Sequence, residues 1–337
     1  MNENHIEESL NQADVSFELP LRPQALSDFV GQDNIRSRLE IFIEAAKQRK
    51  DSLGHCLFSG PPGLGKTTLA NILAKTMGTN FIVSSGPVIE KPGDLAGILT
   101  NLQEGDVFFI DEIHRLNKSI EEYLYPAMED FVLDLVIDSG PSARTVQVSL
   151  KRFTLVGATT RVGLLTGPLR SRFAMTSRLD YYPSDVLVRI LQRSSKILNL
   201  SVDVEGLMEI AKRSRGTPRI ANHLLRWVRD YVQIHERKKT ADAFIVDKAL
   251  SMLAIDEKGL DEMDKKILNI MMDHYNGGPV GLKTLAVAVG EESCTLEEVY
   301  EPFLILQGFI QRTPKGRRAT DLAYRHMNKP LPSKQIL

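Results

Sequence analysis

Apolar positions in the first half of the chain come in short runs. Residues 55–58 (His-Cys-Leu-Phe), 80–83 (Asn-Phe-Ile-Val), 107–110 (Val-Phe-Phe-Ile) and 153–156 (Phe-Thr-Leu-Val) are separated by stretches of helical periodicity between residues 21 and 182. Strands covered on both faces read as continuous apolar runs, so this alternation predicts an α/β domain with a parallel sheet. In the helix expected from Thr67 onward, Leu69, Ile72, Leu73 and Met77 recur at three- and four-residue intervals. That spacing turns one apolar stripe toward the sheet. Residues 133–150 alternate instead: Leu133, Leu135 and Ile137 share one face, and Val146, Val148 and Leu150 return after Gly140-Pro141, the pattern of a β-hairpin.

From residue 183 to 253 the strand-like runs disappear. Amphipathic helices dominate, with expected breaks at Asn199, Gly206 and Gly216-Thr217-Pro218, so a small helical domain follows the α/β domain of residues 1–182. Residues 256–327 hold three helical segments and then two short extended ones, 308–312 and 317–320, flanking Thr313-Pro314-Lys315-Gly316. Helices followed by a hairpin predict a winged helix-turn-helix. Residues 1–16 and the tail 328–337 lack apolar periodicity and are expected to be unstructured.

Composition narrows the function only a little. With 42 basic and 43 acidic side chains the net charge is −1, so nucleic-acid contact must come from a local cluster of cations. Cys56 and Cys294 are far apart and show no ligand spacing, which predicts no zinc site or disulfide framework and fits a reducing cytoplasm. No stretch approaches the roughly 18 apolar residues of a membrane span, and the amino-terminal residues do not have the basic-then-apolar order of a secretory leader.

The candidate chemistry begins at Gly60-Pro61-Pro62-Gly63-Leu64-Gly65-Lys66-Thr67, a phosphate-binding loop pattern placed after an apolar strand and before an amphipathic helix. Its glycines, Gly63 and Gly65 among them, let backbone N–H groups turn toward phosphate. The helix amino terminus adds a positive dipole end, Lys66 reaches β and γ oxygens, and Thr67 offers a hydroxyl to magnesium. After the apolar run 107–110, Asp111 and Glu112 supply a metal-binding carboxylate and a second one to orient and deprotonate water, which predicts hydrolysis of ATP. Asp111-Glu112-Ile113-His114 also resembles a superfamily 2 helicase box, but a second tandem motor domain has no room after residue 182. His114 is therefore expected to be a polar turn residue.

Leu21-Arg22-Pro23, Phe29-Val30-Gly31-Gln32, the loop at Lys66, Asp111 to Arg115 and Gly157-Ala158-Thr159-Thr160 occur in the order found in AAA+ ATPases. Ser85-Gly86-Pro87, Glu90-Lys91-Pro92-Gly93-Asp94, Tyr125 to Asp130 and Gly216 to Asn222 resemble one AAA+ family more closely, the RuvB Holliday-junction branch-migration ATPases, from residue 21 to about 327. The resemblance implies a P-loop domain, a helical lid and a winged-helix domain. It places Leu21, Arg22 and Tyr182 beside adenine and ribose, Thr160 as sensor 1, Arg219 as sensor 2, and Thr68, Glu129, Asp130 and Phe131 among nucleotide contacts. Arg172 matches an arginine finger that enters a neighbouring subunit's site, which requires a ring, a homo-hexamer in this family. The resemblance further implies duplex DNA at four-way junctions, RuvA and the RuvC resolvase as partners, and a place in recombination and DNA repair.

The hairpin 133–150 is expected to dock RuvA, as the resemblance implies; the alternative is that its apolar face packs on its own domain. Arg312, Lys315, Arg317 and Arg318 put four cations within seven residues at the presumed wing, suited to phosphate contact. Arg312 and Arg317 match the family's DNA-contacting arginines, and Lys315 stands where arginine is usual. Ser293 replaces another expected arginine, and Pro20, Lys151 and Arg152 are further departures. A clamp-loader subunit and a winged-helix regulator using ATP only as a switch are the alternative functions. The first ends in a helical collar rather than a wing, and the second has no use for Glu112.

Overall fold

The computed structural model describes residues 19–137, 144–235 and 240–331. The expected unstructured stretches 1–16 and most of 328–337, and the tip of the hairpin, lie outside the described residues. The chain divides into two units, one of residues 1–199 and 216–222, the other of 200–215 and 223–337.

In chain order the first unit contains α1 (Asp33–Arg49), β1 (Cys56–Ser59), α2 (Lys66–Met77), β2 (Phe81–Ser85), α3 (Pro92–Asn101), β3 (Val107–Asp111) and α4 (Lys118–Glu129). It continues through β4 (Val132–Ile137), β5 (Arg144–Ser149), β6 (Thr154–Thr159), α5 (Gly167–Ser171), β7 (Met175–Arg178) and α6 (Ser184–Ile197). Five strands form one sheet in the order β2-β3-β6-β1-β7, and every pairing is parallel. The central strands are apolar because helices cover both faces: β1 is buried throughout, as are the first four residues of β3 and all of β6. The fifth strand, β7, was not among the four apolar runs. It alternates buried Met175 and Ser177 with exposed Thr176 and Arg178, an edge-strand pattern too short and polar to register as a run.

The hairpin forms with Leu133 opposite Val148 and Leu135 opposite Val146. Leu133 is fully buried in the domain core, whereas Val146 is exposed. The base of the hairpin therefore packs on its own domain, and an apolar position nearer the start of β5 faces solvent.

The second unit opens with β8 (Ser201–Val202) and α7 (Val204–Arg213), takes up α8 (Pro218–His235) after its first residues, and continues with β9 (Thr240–Ala241) and α9 (Ala243–Ser251). Two details depart from expectation here. β8 and β9 make a short parallel pair, so strands are not wholly absent. Gly206 does not interrupt a helix; it lies in the first turn of α7, where its N–H donates to the capping carboxylate of Asp203 at 2.6 Å. The hydrogen bond satisfies one of the orphan donors of that turn.

Farther along lie α10 (Glu262–Tyr275), α11 (Leu282–Val289), α12 (Ser293–Thr295), a π-helical turn at Leu296–Tyr300 and α13 (Glu301–Leu306) running on continuously. β10 (Ile310–Thr313) and β11 (Gly316–Ala319) form the wing, and α14 (Asp321–His326) follows. An isolated bridge joins Val280 to Arg317. These elements enclose a core including Ile267, Leu268, Met271, Leu304, Phe309 and Tyr324.

Candidate functional site

The sheet order decides the site. β6 lies between β1 and β3, so the loop after β1, the carboxylates ending β3 and Thr160 after β6 all emerge at the carboxyl ends of three adjacent strands, where open α/β sheets bind ligands. The Gly60 N–H donates to the Thr159 carbonyl at 3.1 Å, pinning the start of the loop to the tip of β6. Gly65 caps α2 at φ 101°, and Gly63 stands at φ 77° where a Cβ would meet the Thr217 methyl at 2.7 Å. Only glycine takes both conformations at this closeness.

One cleft gathers most of the expected residues. Leu21, Arg22, Gly63, Gly65, Lys66, Thr67, Thr68, Asp111, Glu112, Thr160, Tyr182 and Arg219 all line it. Lys66 is buried, and its ammonium donates to the carbonyls of Gly60 and Pro61, each at 2.8 Å. Burial pushes its pKa down to about 8; Asp111 and Glu112 oppose that shift and Arg219 adds to it. A cation held among carbonyls in a glycine-built cradle suits a polyphosphate, and Thr67 with Asp111 offers the hard oxygen donors that magnesium takes.

Glu112 sits at φ 46°, in the left-handed region. Its N–H donates to the Asp111 carboxylate at 2.9 Å, its carbonyl accepts from Arg115 N–H at 2.8 Å, and its carboxylate pairs with the Arg115 guanidinium at 2.9 Å. His114, in the next turn, places Nδ1 3.0 Å from the Thr159 hydroxyl, which also accepts from the Arg161 N–H at 2.9 Å. His114 is thus more than a solvated turn residue, because it ties the turn after β3 to the tip of β6.

Tyr182 is buried, its hydroxyl donates to the Leu64 carbonyl at 3.2 Å, and its N–H to the Gly216 carbonyl at 2.8 Å. Burial raises its pKa. Sequence reasoning missed Arg193, Ile190 and Asn222, which also line the cleft. Arg193 donates to the Leu21 carbonyl at 2.7 Å. The available signal was helical spacing: Ile190 and Arg193 are three apart on α6, as are Arg219 and Asn222 on α8.

Four expected residues lie elsewhere. Glu129, Asp130 and Phe131 do not line the cleft containing Lys66. Phe131 instead packs its ring 5.8 Å from Phe153, and Glu129 pairs with Arg172 at 2.9 Å. Arg172 also donates to the Pro168 carbonyl and lies 4.4 Å over the Tyr125 ring. Neither Arg172 nor the wing residues Arg312 and Arg317 are loose surface cations. Arg312 and Arg317 both bind Glu301, while Lys315 and Arg318 are exposed. Burial raises the Glu301 pKa, but hydrogen bonds from the two arginines outweigh it and hold the carboxyl below its ordinary value.

A parallel sheet with this loop, tandem carboxylates and Thr160 on adjoining strand tips defines a P-loop ATPase of the AAA+ class. Three family models cover nearly all of the described chain: the Holliday junction DNA helicase RuvB P-loop domain over residues 21–179, the RuvB AAA lid domain over 182–256, and the RuvB C-terminal winged helix domain over 257–328. The chain belongs to the RuvB family. It is 66% identical over 327 residues to the Holliday junction branch migration complex subunit RuvB of Protochlamydia amoebophila, covering 97% of this chain and 98% of the relative. With the same-named protein of Chlamydia trachomatis it shares 58% identity over 321 residues, 95% of this chain and 96% of that one. The Thermotoga maritima RuvB Holliday junction branch migration motor superposes with a TM-score of 0.85 at 48% identity, over 93% of this chain and all of that one. Among the described residues no helix is long and apolar enough to cross a membrane.

Proposed function

We propose that this protein is a cytoplasmic, ATP-driven motor that moves duplex DNA through four-way junctions as a homo-hexameric ring, working with RuvA and alongside RuvC in recombination and repair. The observation carrying this reading is the convergence of Lys66, Thr67, Asp111, Glu112, Thr160 and Arg219 on one cleft in a chain that also carries a basic wing. Leu21, Arg22 and Tyr182 form the side that receives the base and ribose. Lys66 exchanges the loop carbonyls for β and γ oxygens, and Glu112 takes a proton from the attacking water, which Thr160 helps to align. Thr67 and Asp111 would hold magnesium, which would supply charge neutralisation at the phosphates. Arg219 meets the γ-phosphate from the start of α8, and Arg172 serves the site of the next subunit, with Glu129 at the same boundary.

The exposed part of the hairpin, at Val146, is where RuvA docks in this reading. Arg312, Lys315 and Arg317 grip backbone phosphates without reading bases, as a translocating motor requires. The test is a synthetic four-way junction incubated with ATP, RuvA and this protein. Resolution into duplexes, lost in Lys66→Ala, is expected. A protein that neither turns over ATP on duplex DNA with RuvA nor assembles beyond a monomer would overturn the reading.

A further inference from the structure

The two wing arginines that match DNA-contacting positions share one buried carboxylate. Glu301 is the first residue of α13 and is 5% exposed. Its Oε1 accepts from Nε of Arg312 and Nε of Arg317, both at 2.9 Å, and its Oε2 from Nη2 of each, at 2.9 and 3.0 Å. Arg312 and Arg317 stand opposite each other on β10 and β11, so two strands bring their guanidinium forks to one helix residue. Glu297, one turn earlier, accepts from Arg312 at 3.2 Å and lies 3.9 Å from Arg317.

We propose that Glu301 is a positioning residue for duplex binding, holding Arg312 and Arg317 as a preformed pair of donors for backbone phosphate. The inference rests on the wing being the DNA-contacting element. Each fork spends its Nε–Nη2 edge on Glu301, which leaves the two hydrogens of Nη1 outside these bonds. A free arginine loses rotamer freedom when it grips phosphate, whereas one already clamped loses little, and preorganisation of this kind returns as affinity. A buried carboxylate is costly to leave unpaired, so the clamp persists between encounters with DNA. Near the turn of the wing the two guanidiniums are balanced by Glu301 and Glu297, and exposed Lys315 and Arg318 supply the excess positive charge there. The half-exposed Glu297 is the weaker partner, and phosphate displaces it from Arg312.

The test measures duplex affinity of the full chain across a salt series, with a non-hydrolysable ATP analogue present. Glu301→Gln keeps the shape but loosens both forks. Binding should weaken about tenfold, as expected for re-immobilising two rotamer-rich side chains, while the salt slope becomes no shallower because both arginine charges remain. Arg312→Ala should then cost much less in the Glu301→Gln background than in the native one. Arg312→Lys with Arg317→Lys, which retains charge without the fork, should weaken binding similarly and stands in if Glu301→Gln fails to fold. Tighter binding with a steeper slope in Glu301→Gln would make the carboxylate a mere counter-charge. Additive losses, or native affinity in the double lysine variant, would overturn positioning. If neither Arg312→Ala nor Arg317→Ala affects binding, the wing reading itself fails and takes this proposal with it.

Discussion

Arg172 and Glu129 are joined by a 2.9 Å ion pair, with the arginine head stacked on Tyr125. The Tyr125 hydroxyl lies 3.1 Å from that of Thr166, the capping residue of α5, and Thr166 donates to buried Glu121 at 2.6 Å. The arginine assigned to a neighbouring site is thus presented from a braced helix end. Glu129 is half-exposed, and exposed pairs contribute only about 0–1 kcal/mol, so phosphate can compete for the guanidinium at little cost.

For that reason Arg172→Ala should bind ATP nearly normally but lose hydrolysis by roughly 10³–10⁵. Mixing it with a Lys66→Ala subunit, which keeps its own Arg172, should restore turnover. Steady-state ATPase assays of mixed rings check this, and native hydrolysis by Arg172→Ala alone would contradict the trans role.

Nucleotide binding should take up protons in mildly alkaline solution. The buried ammonium of Lys66 has its pKa depressed to about 8, so in the free protein it is charged below that pH and deprotonates as pH rises through it. Phosphate favours the protonated form, which makes affinity fall above about pH 8 and couples binding to proton uptake. Calorimetry near pH 9 in buffers of different ionisation enthalpy should give buffer-dependent heats that vanish near neutrality. Buffer-independent heats at both values would place the titration elsewhere.

His114→Ala should lower kcat about five- to tenfold with KM little changed, the kinetic equivalent of one hydrogen bond worth roughly 1 kcal/mol. The imidazole, 3.0 Å from the Thr159 hydroxyl, fixes the turn carrying Glu112 against the strand carrying Thr160. His114→Asn, which retains a short polar arm, should recover part of the rate, and a rise in KM instead would assign the residue to binding.

Arg215 pairs at 2.5 Å with Asp264, a fully buried carboxylate, and at 2.7 Å with Asp261. Burial pushes the Asp264 pKa up to about 7, with Arg215 pulling it down and Asp261 raising it. Arg215→Ala should destabilise the second unit by about 3–5 kcal/mol, the cost of an unpaired buried charge. A carboxyl with its folded pKa raised above the unfolded one loses stability as pH rises between the two. The variant should therefore lose most near pH 8 and less near pH 5. Denaturant melts at the two values test this, and an equal loss at both would show that the charge is not its source.

The strands β1, β3 and β6 were legible because each carries or adjoins a run of apolar residues. The short polar edge strand β7 and the pair β8–β9 were not, because two to four residues without an apolar run carry no period. At the site, the loop and the tandem carboxylates were legible from local spacing. Arg193 and Asn222 were not, since a polar residue on an amphipathic helix looks the same whether it faces water or a cleft.

By itself the sequence determined the long apolar strands and the amphipathic helices, which backbone positions demand glycine, and which side chains have phosphate chemistry. These are local properties, set by periodicity and residue type. Tertiary structure alone decided that β6 lies between β1 and β3, that Glu129 meets Arg172 rather than the cleft with Lys66, and that Glu301 gathers Arg312 and Arg317. Each of those is a pairing between residues from 11 to about 100 positions apart, and the free energy that selects it comes from burying a shared core, which no local pattern encodes.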